Sequence, residues 1–168
     1  MERKSTNNLL FRRLFISLFV IVICAFSNMS YADEAFELLK KKAEQGDAEA
    51  QRGIGYIYDE GIGVPQDYKE AVKWFRLSAE QENPKAQNNL GYMYRKGNGV
   101  PQDYKEAIKW YRLSAEQGNA SAQRALGILY VKGEGVSKDY VEAKRWLSKA
   151  ADQGDENAQK WLDYISNE

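Results

Sequence analysis

Apolar residues between positions 47 and 60 fall at Ala50, Ile54, Ile57 and Tyr58. Steps of 4, 3 and 1 draw a single stripe along a helix. Asp47 stands just ahead, where its side chain can accept a hydrogen bond from a free amide of the first turn. Gly61 ends the helix, because glycine takes the left-handed conformation cheaply. In the link GIGVPQ that follows, Pro65 blocks helical continuation. A second helix is predicted from Asp67, with Glu70 three residues on, as in a capping box with Asp in place of Ser or Thr. Its stripe is Ala71, Trp74, Phe75 and Ala79.

This helix-turn-helix pattern returns every 36 residues. GVPQDYKEA occupies 63–71 and again 99–107, and GVSKDYVEA follows at 135–143. Asp47, Asn83, Asn119 and Asp155 share one register, as do Trp74, Trp110 and Trp146. Segments 47–82 and 83–118 are identical at 23 of 36 positions. A period in this range marks a solenoid, in which each unit needs its neighbours to bury its apolar face. The expected organisation is a half-unit at 33–46, full units at 47–82, 83–118 and 119–154, and a capping helix at 155–168. Gly55, Gly91 and Gly127 fall inside predicted helices, where glycine costs about 1 kcal/mol relative to alanine. Their fixed register predicts close helix contact, which a side chain would prevent. Asp163 takes that place in the last copy, where no further helix follows in the sequence.

Residues 1–32 read differently. Arg3, Lys4, Arg12 and Arg13 precede the apolar run from Leu14 to Phe26, and Ser30 and Ala32 follow. A basic head, a short apolar middle and a small-x-small end predict a signal peptide cleaved after Ala32. The run is short of the roughly 20 apolar residues of a membrane span, so no stable membrane insertion is expected after cleavage. An uncleaved anchor is the other reading. Cleavage leaves 20 basic against 23 acidic residues and no cysteine, because Cys24 lies in the apolar run. The slight acidic surplus argues against nucleic-acid binding.

The stretch AQNNLGYMYRKGNGVPQDYKEAIKWYRLSAEQG, from Ala86 to Gly118, resembles a Sel1-like repeat, a relative of the tetratricopeptide class. Ser78 and Ser114 depart from the family pattern at the first Ala of its Ala-Ala pair, and Glu82 departs at a Gly. The resemblance implies an all-α fold, an α/α superhelical solenoid of 36-residue repeats that binds other proteins. One cysteine-rich branch of the family has been linked to β-lactam hydrolysis, and this chain lacks its paired cysteines. The chain has no histidine, which removes Ser-His-Asp and Cys-His chemistry and the usual zinc sites. No enzyme activity, metal or cofactor is expected, and the repeated carboxylates read as helix caps.

Scaffold positions must agree among units, whereas binding positions are free to differ. The differing positions opposite the first-helix stripe are Arg52, Tyr56 and Asp59, then Asn88, Asn89, Tyr92 and Arg95. Arg124, with Ile128 and Val131, continues the row, and Lys160 and Tyr164 end it. These residues are expected to line the inner curve of the solenoid and hold a protein partner. The predicted role is a monomeric, periplasmic or secreted adaptor that regulates an envelope enzyme or a signalling protein. Alternatives are an immunity protein neutralising a phospholipase or other toxin effector and, less favoured, an envelope-glycan or β-lactam hydrolase.

Overall fold

The computed structural model describes residues 31 and 33–167. The expected signal peptide lies outside them, apart from Tyr31. Every regular element among the described residues is an α-helix. Helix α1 covers 33–44. The repeats follow as pairs: α2 (Ala48–Glu60) with α3 (Tyr68–Glu80), α4 (Pro84–Lys96) with α5 (Tyr104–Glu116), and α6 (Ala120–Lys132) with α7 (Tyr140–Ala151). The single helix α8 (Glu156–Ile165) ends the series. From α2 to α8 each helix packs on its neighbours in sequence, as in a solenoid.

The caps explain where these helices begin. Asp47, Asn83, Asn119 and Asp155 each accept a hydrogen bond from the amide three residues on, at 2.8–3.0 Å. Asp67, Asp103 and Asp139 cap the second helices, each through Oδ1 to two amides. The capping box is only half built. Glu70, Glu106 and Glu142 pair with Lys73, Lys109 and Arg145 one turn on instead of reaching back to the cap amide. The cap amides of Asp67, Asp103 and Asp139 already donate to the carbonyls of Tyr58, Tyr94 and Tyr130 at 2.9–3.1 Å, so no free donor is left for the carboxylates to reach.

Inside each repeat the two helices meet at the glycine. A Cβ on Gly55 would stand 2.6 Å from the Phe75 ring, and one on Gly91 would stand 2.8 Å from the Tyr111 ring. At Gly127 the obstacle is Leu147, at 2.6 Å. The glycine thus admits the large side chain of its own repeat's second helix. Among the described residues no second helix packs on α8 in this way, and Asp163 in the glycine register is exposed. Ser78 and Ser114 have a structural use. Both are fully buried and donate to the carbonyls of Ala48 and Pro84 at 2.6 Å. These bonds tie the end of the second helix to the start of the first.

Other contacts join one repeat to the next. The side-chain amides of Gln51, Gln87 and Gln123 are buried and donate to the carbonyls of Ala43, Ala79 and Ala115 at 3.0–3.2 Å. The Arg76 and Arg112 guanidinium groups reach forward to the Tyr94 and Tyr130 hydroxyls, at 2.5 and 2.6 Å. Trp110 packs back into the cluster of Phe75, Leu90 and Met93. The tryptophan ladder is less uniform than its register suggests: Trp110 and Trp146 are buried, but Trp74 is only half-buried. Only the half-unit precedes Trp74 in the repeat order.

Candidate protein-binding groove

The face of α2, α4 and α6 carries a groove of about 380 Å³. Seven of the ten candidate residues line it. Helix α2 gives Tyr56 and Asp59, α4 gives Asn88, Asn89, Tyr92 and Arg95, and α6 gives Arg124. The helical spacing of 3 and 4 residues places each set on one side of its helix. Tyr56 and Tyr92 hold their rings 45% and 39% exposed, which suits them to contact a partner.

Electrostatically the groove has two ends. At the α2 end, burial, with help from the neighbouring Glu60 carboxylate, raises the pKa of Asp59. Toward α4, the Arg95 guanidinium lies over the Tyr92 ring, with Cζ 5.6 Å from the centroid. Arg95 Nε is buried without a hydrogen-bond partner. Burial pushes the Tyr111 hydroxyl up to about 12, partly offset by Arg95. At the far end Arg124 is committed to Asp155 at 2.7 Å. Burial acts to raise the Asp155 pKa. The Arg124 hydrogen bond, the Ala158 amide and the Arg124 charge outweigh burial and leave it lowered.

The other three candidates lie elsewhere. Arg52 is not a groove-lining residue and pairs with Glu49 one turn back. That bond is the leading cause holding Glu49 down at about 2. Lys160 and Tyr164 open onto a different pocket, of about 650 Å³, beside the end of α6. Val131 lines that second pocket and not the groove. It is buried at the register where Asp59 and Arg95 stand in earlier repeats, so the row of differing residues is not one continuous surface. Ile128 is partly buried against the core.

Sequence reasoning missed four lining residues, Glu60, Tyr111, Ser121 and Ala125. Tyr111 is the informative one. Its ring fills the seam at Gly91 from helix α5, so it reads as core, yet it also helps to line the groove. The exchange of Phe75 for Tyr111 at the same register was the available signal. Among the described residues no group of His, Cys, Asp and Glu could hold a metal ion. None of their helices is long and apolar enough to cross a membrane.

Comparison with known proteins agrees with this architecture. The crystal structure of c5321, a protective antigen present in uropathogenic Escherichia coli strains with an SLR fold, superposes with a TM-score of 0.77. It is 46% identical, over 78% of this chain and 28% of that one. A Sel1 repeat protein from Oxalobacter formigenes gives a TM-score of 0.67 and 45% identity, over 70% of this chain and 48% of its own. The secretory immunoglobulin A-binding protein EsiB of Escherichia coli is 48% identical over 40 residues, 24% of this chain. The chain spans only 8% of EsiB and less than half of either solved relative. The Sel1 repeat profile matches residues 32–47, 48–83, 84–119 and 120–155, well over half of the sequence. The chain belongs to the Sel1 repeat family.

Proposed function

We propose that this protein is an exported interaction scaffold that grips a protein partner in the groove of α2, α4 and α6 and so regulates an envelope enzyme or signalling protein. One observation carries the reading. Seven of the ten residues chosen as differing positions opposite the first-helix stripe line a single groove, which gives a partner one continuous surface on α2, α4 and α6. Tyrosine and arginine are residue types enriched at interface hot spots. A protein partner would cover about 800 Å² of such a surface in a standard interface. Sel1 repeats serve protein–protein contact, and EsiB is by name a binder of a secreted protein. Export to the periplasm or beyond rests on the basic and apolar pattern of residues 1–32.

The test is a cross-linked pull-down of the tagged protein from its native envelope fraction, run beside the double variant Tyr56→Ala/Tyr92→Ala. Both side chains are exposed, so the melting temperature is expected to hold. A partner captured by the parent and lost by the variant supports the proposal. A partner retained by a correctly folded variant contradicts it.

A further inference from the structure

The pocket at the C-terminal end of the repeat series shares no lining residue with the groove of α2, α4 and α6. Register comparison shows that it is unlike its counterparts. Trp161 stands where the other units carry Gly53, Asn89 and Ala125. Lys138 replaces Gln66 and Gln102, whose side-chain amides donate to the carbonyls of Asp59 and Arg95 at 2.6 and 2.9 Å. Those bonds close the turn in the first two repeats, and Lys138 makes no such bond. Lys160 is likewise exposed and outside every ion pair of the described residues. Lys132 pairs loosely with Glu134, at 3.9 Å. The two rings of α8 stand edge to face, Trp161 against Tyr164 at 5.7 Å and 82°.

We propose that this pocket, with Lys132, Lys138 and Lys160 around the Trp161 and Tyr164 rings, binds an acidic peptide segment that carries an apolar side chain. Charge complementarity selects the ligand. Three ammonium groups face one carboxylate, a local excess of two positive charges in a chain whose 24 basic and 24 acidic residues balance. Lysines are flexible point charges that can follow carboxylates along an extended chain. The Trp161 and Tyr164 rings supply apolar contact for such a ligand, while the charged side chains select its sign and speed encounter. At about 650 Å³ the pocket has the size of sites that enclose a small ligand, enough for an apolar side chain.

The experiment is fluorescence anisotropy of a labelled, terminally blocked peptide of alternating glutamate and phenylalanine with the purified protein. Two control peptides carry lysine in place of glutamate and serine in place of phenylalanine. Binding is expected for the first peptide, weakening with added salt, and weaker for both controls. Lys138→Glu with Lys160→Glu is expected to lower affinity at least about tenfold at an unchanged melting temperature, since both side chains are exposed. Trp161→Ala is expected to weaken binding as well. No binding of the first peptide, equal binding of the lysine peptide or indifference to the lysine double variant would overturn the proposal. So would Trp161-dependent self-association or capture of phosphatidylglycerol vesicles in place of the peptide. Loss of the partner captured by the other groove has no bearing on this pocket, so the two readings fail separately.

Discussion

Helix α4 shows two opposite regimes a few ångströms apart. Its packed side carries Gly91, closed against Tyr111, and the buried Gln87 that bonds to Ala79. Its open side carries Asn88, Asn89, Tyr92 and Arg95 around the groove. The packed side repeats at 36 residues almost letter for letter, whereas on the open side only Tyr92 matches the preceding unit, as Tyr56. The difference teaches that the repeat fixes stability while the departures from it are available for recognition. A seam with no room for one Cβ tolerates no drift, and an open face constrains nothing by packing.

Tyr111 belongs to both regimes and gives the largest test. Tyr111→Ala is expected to cost about 3–5 kcal/mol, as for a large aromatic in a packed core, read as a drop in the denaturation midpoint. Tyr111→Phe is expected to be close to neutral, because Phe75 already fills the equivalent seam at Gly55. An equal loss in both variants would mean that the hydroxyl, not the ring, holds the seam.

The tryptophans sharpen the contrast between repeats. Trp146 Nε1 donates to Glu142 at 3.2 Å, but Trp110 Nε1 is buried without a partner. A made hydrogen bond contributes about 1 kcal/mol, whereas an unmade one leaves a desolvation cost. Trp146→Phe is therefore expected to destabilise more than Trp110→Phe in matched urea melts. The reverse order would show that ring volume alone decides.

The turn after α3 offers a gain of stability. Glu82 holds φ at 64°, in the register where Gly118 and Gly154 take 92° and 88°. A Cβ at Gly118 or Gly154 meets nothing within 4 Å, so the penalty at Glu82 comes from the backbone and not from a collision. Glu82→Gly is expected to stabilise by about 1 kcal/mol. A fall in melting temperature would assign the glutamate a contact that outweighs its strain.

The smallest effects separate the cap from the groove by pH. Asp155, paired with Arg124, has a lowered folded pKa. Its contribution is present above the unfolded value near 3.8 and is lost as pH falls through the folded value. Asp155→Asn keeps a capping oxygen, as Asn83 and Asn119 show, and is expected to reduce the acid-side loss of stability. Asp59 has a raised folded pKa, so its contribution is full below 3.8 and is lost as pH rises through the folded value. Asp59→Asn is expected to change the slope in the opposite sense. Slopes of the same sign from stability curves at acid pH would contradict the contrast.

Much of the fold was legible because the same physical solution is written three times. Asp47 and Asp67 mark helix starts by chemistry, Gly61 marks a stop by its backbone, and Gly55 marks a seam by what it lacks. The groove was legible through its variation, down to seven residues. The remainder depended on distance rather than register. Arg52 found a carboxylate one turn back on its own helix, which an i,i+3 reading of Glu49 would have offered. Lys160 and Tyr164 share the register of groove residues, but together with Val131 they line a separate pocket. A period reports which residues are equivalent and does not report which ones meet.

Amide hydrogen exchange of the protein, alone and bound to its captured partner, tests the division most directly. Slowed exchange concentrated on α2, α4 and the start of α6, with α3 and α7 unchanged, is the expected result. Protection on the second helices α3 and α7, with α2 and α4 unaffected, would contradict the account.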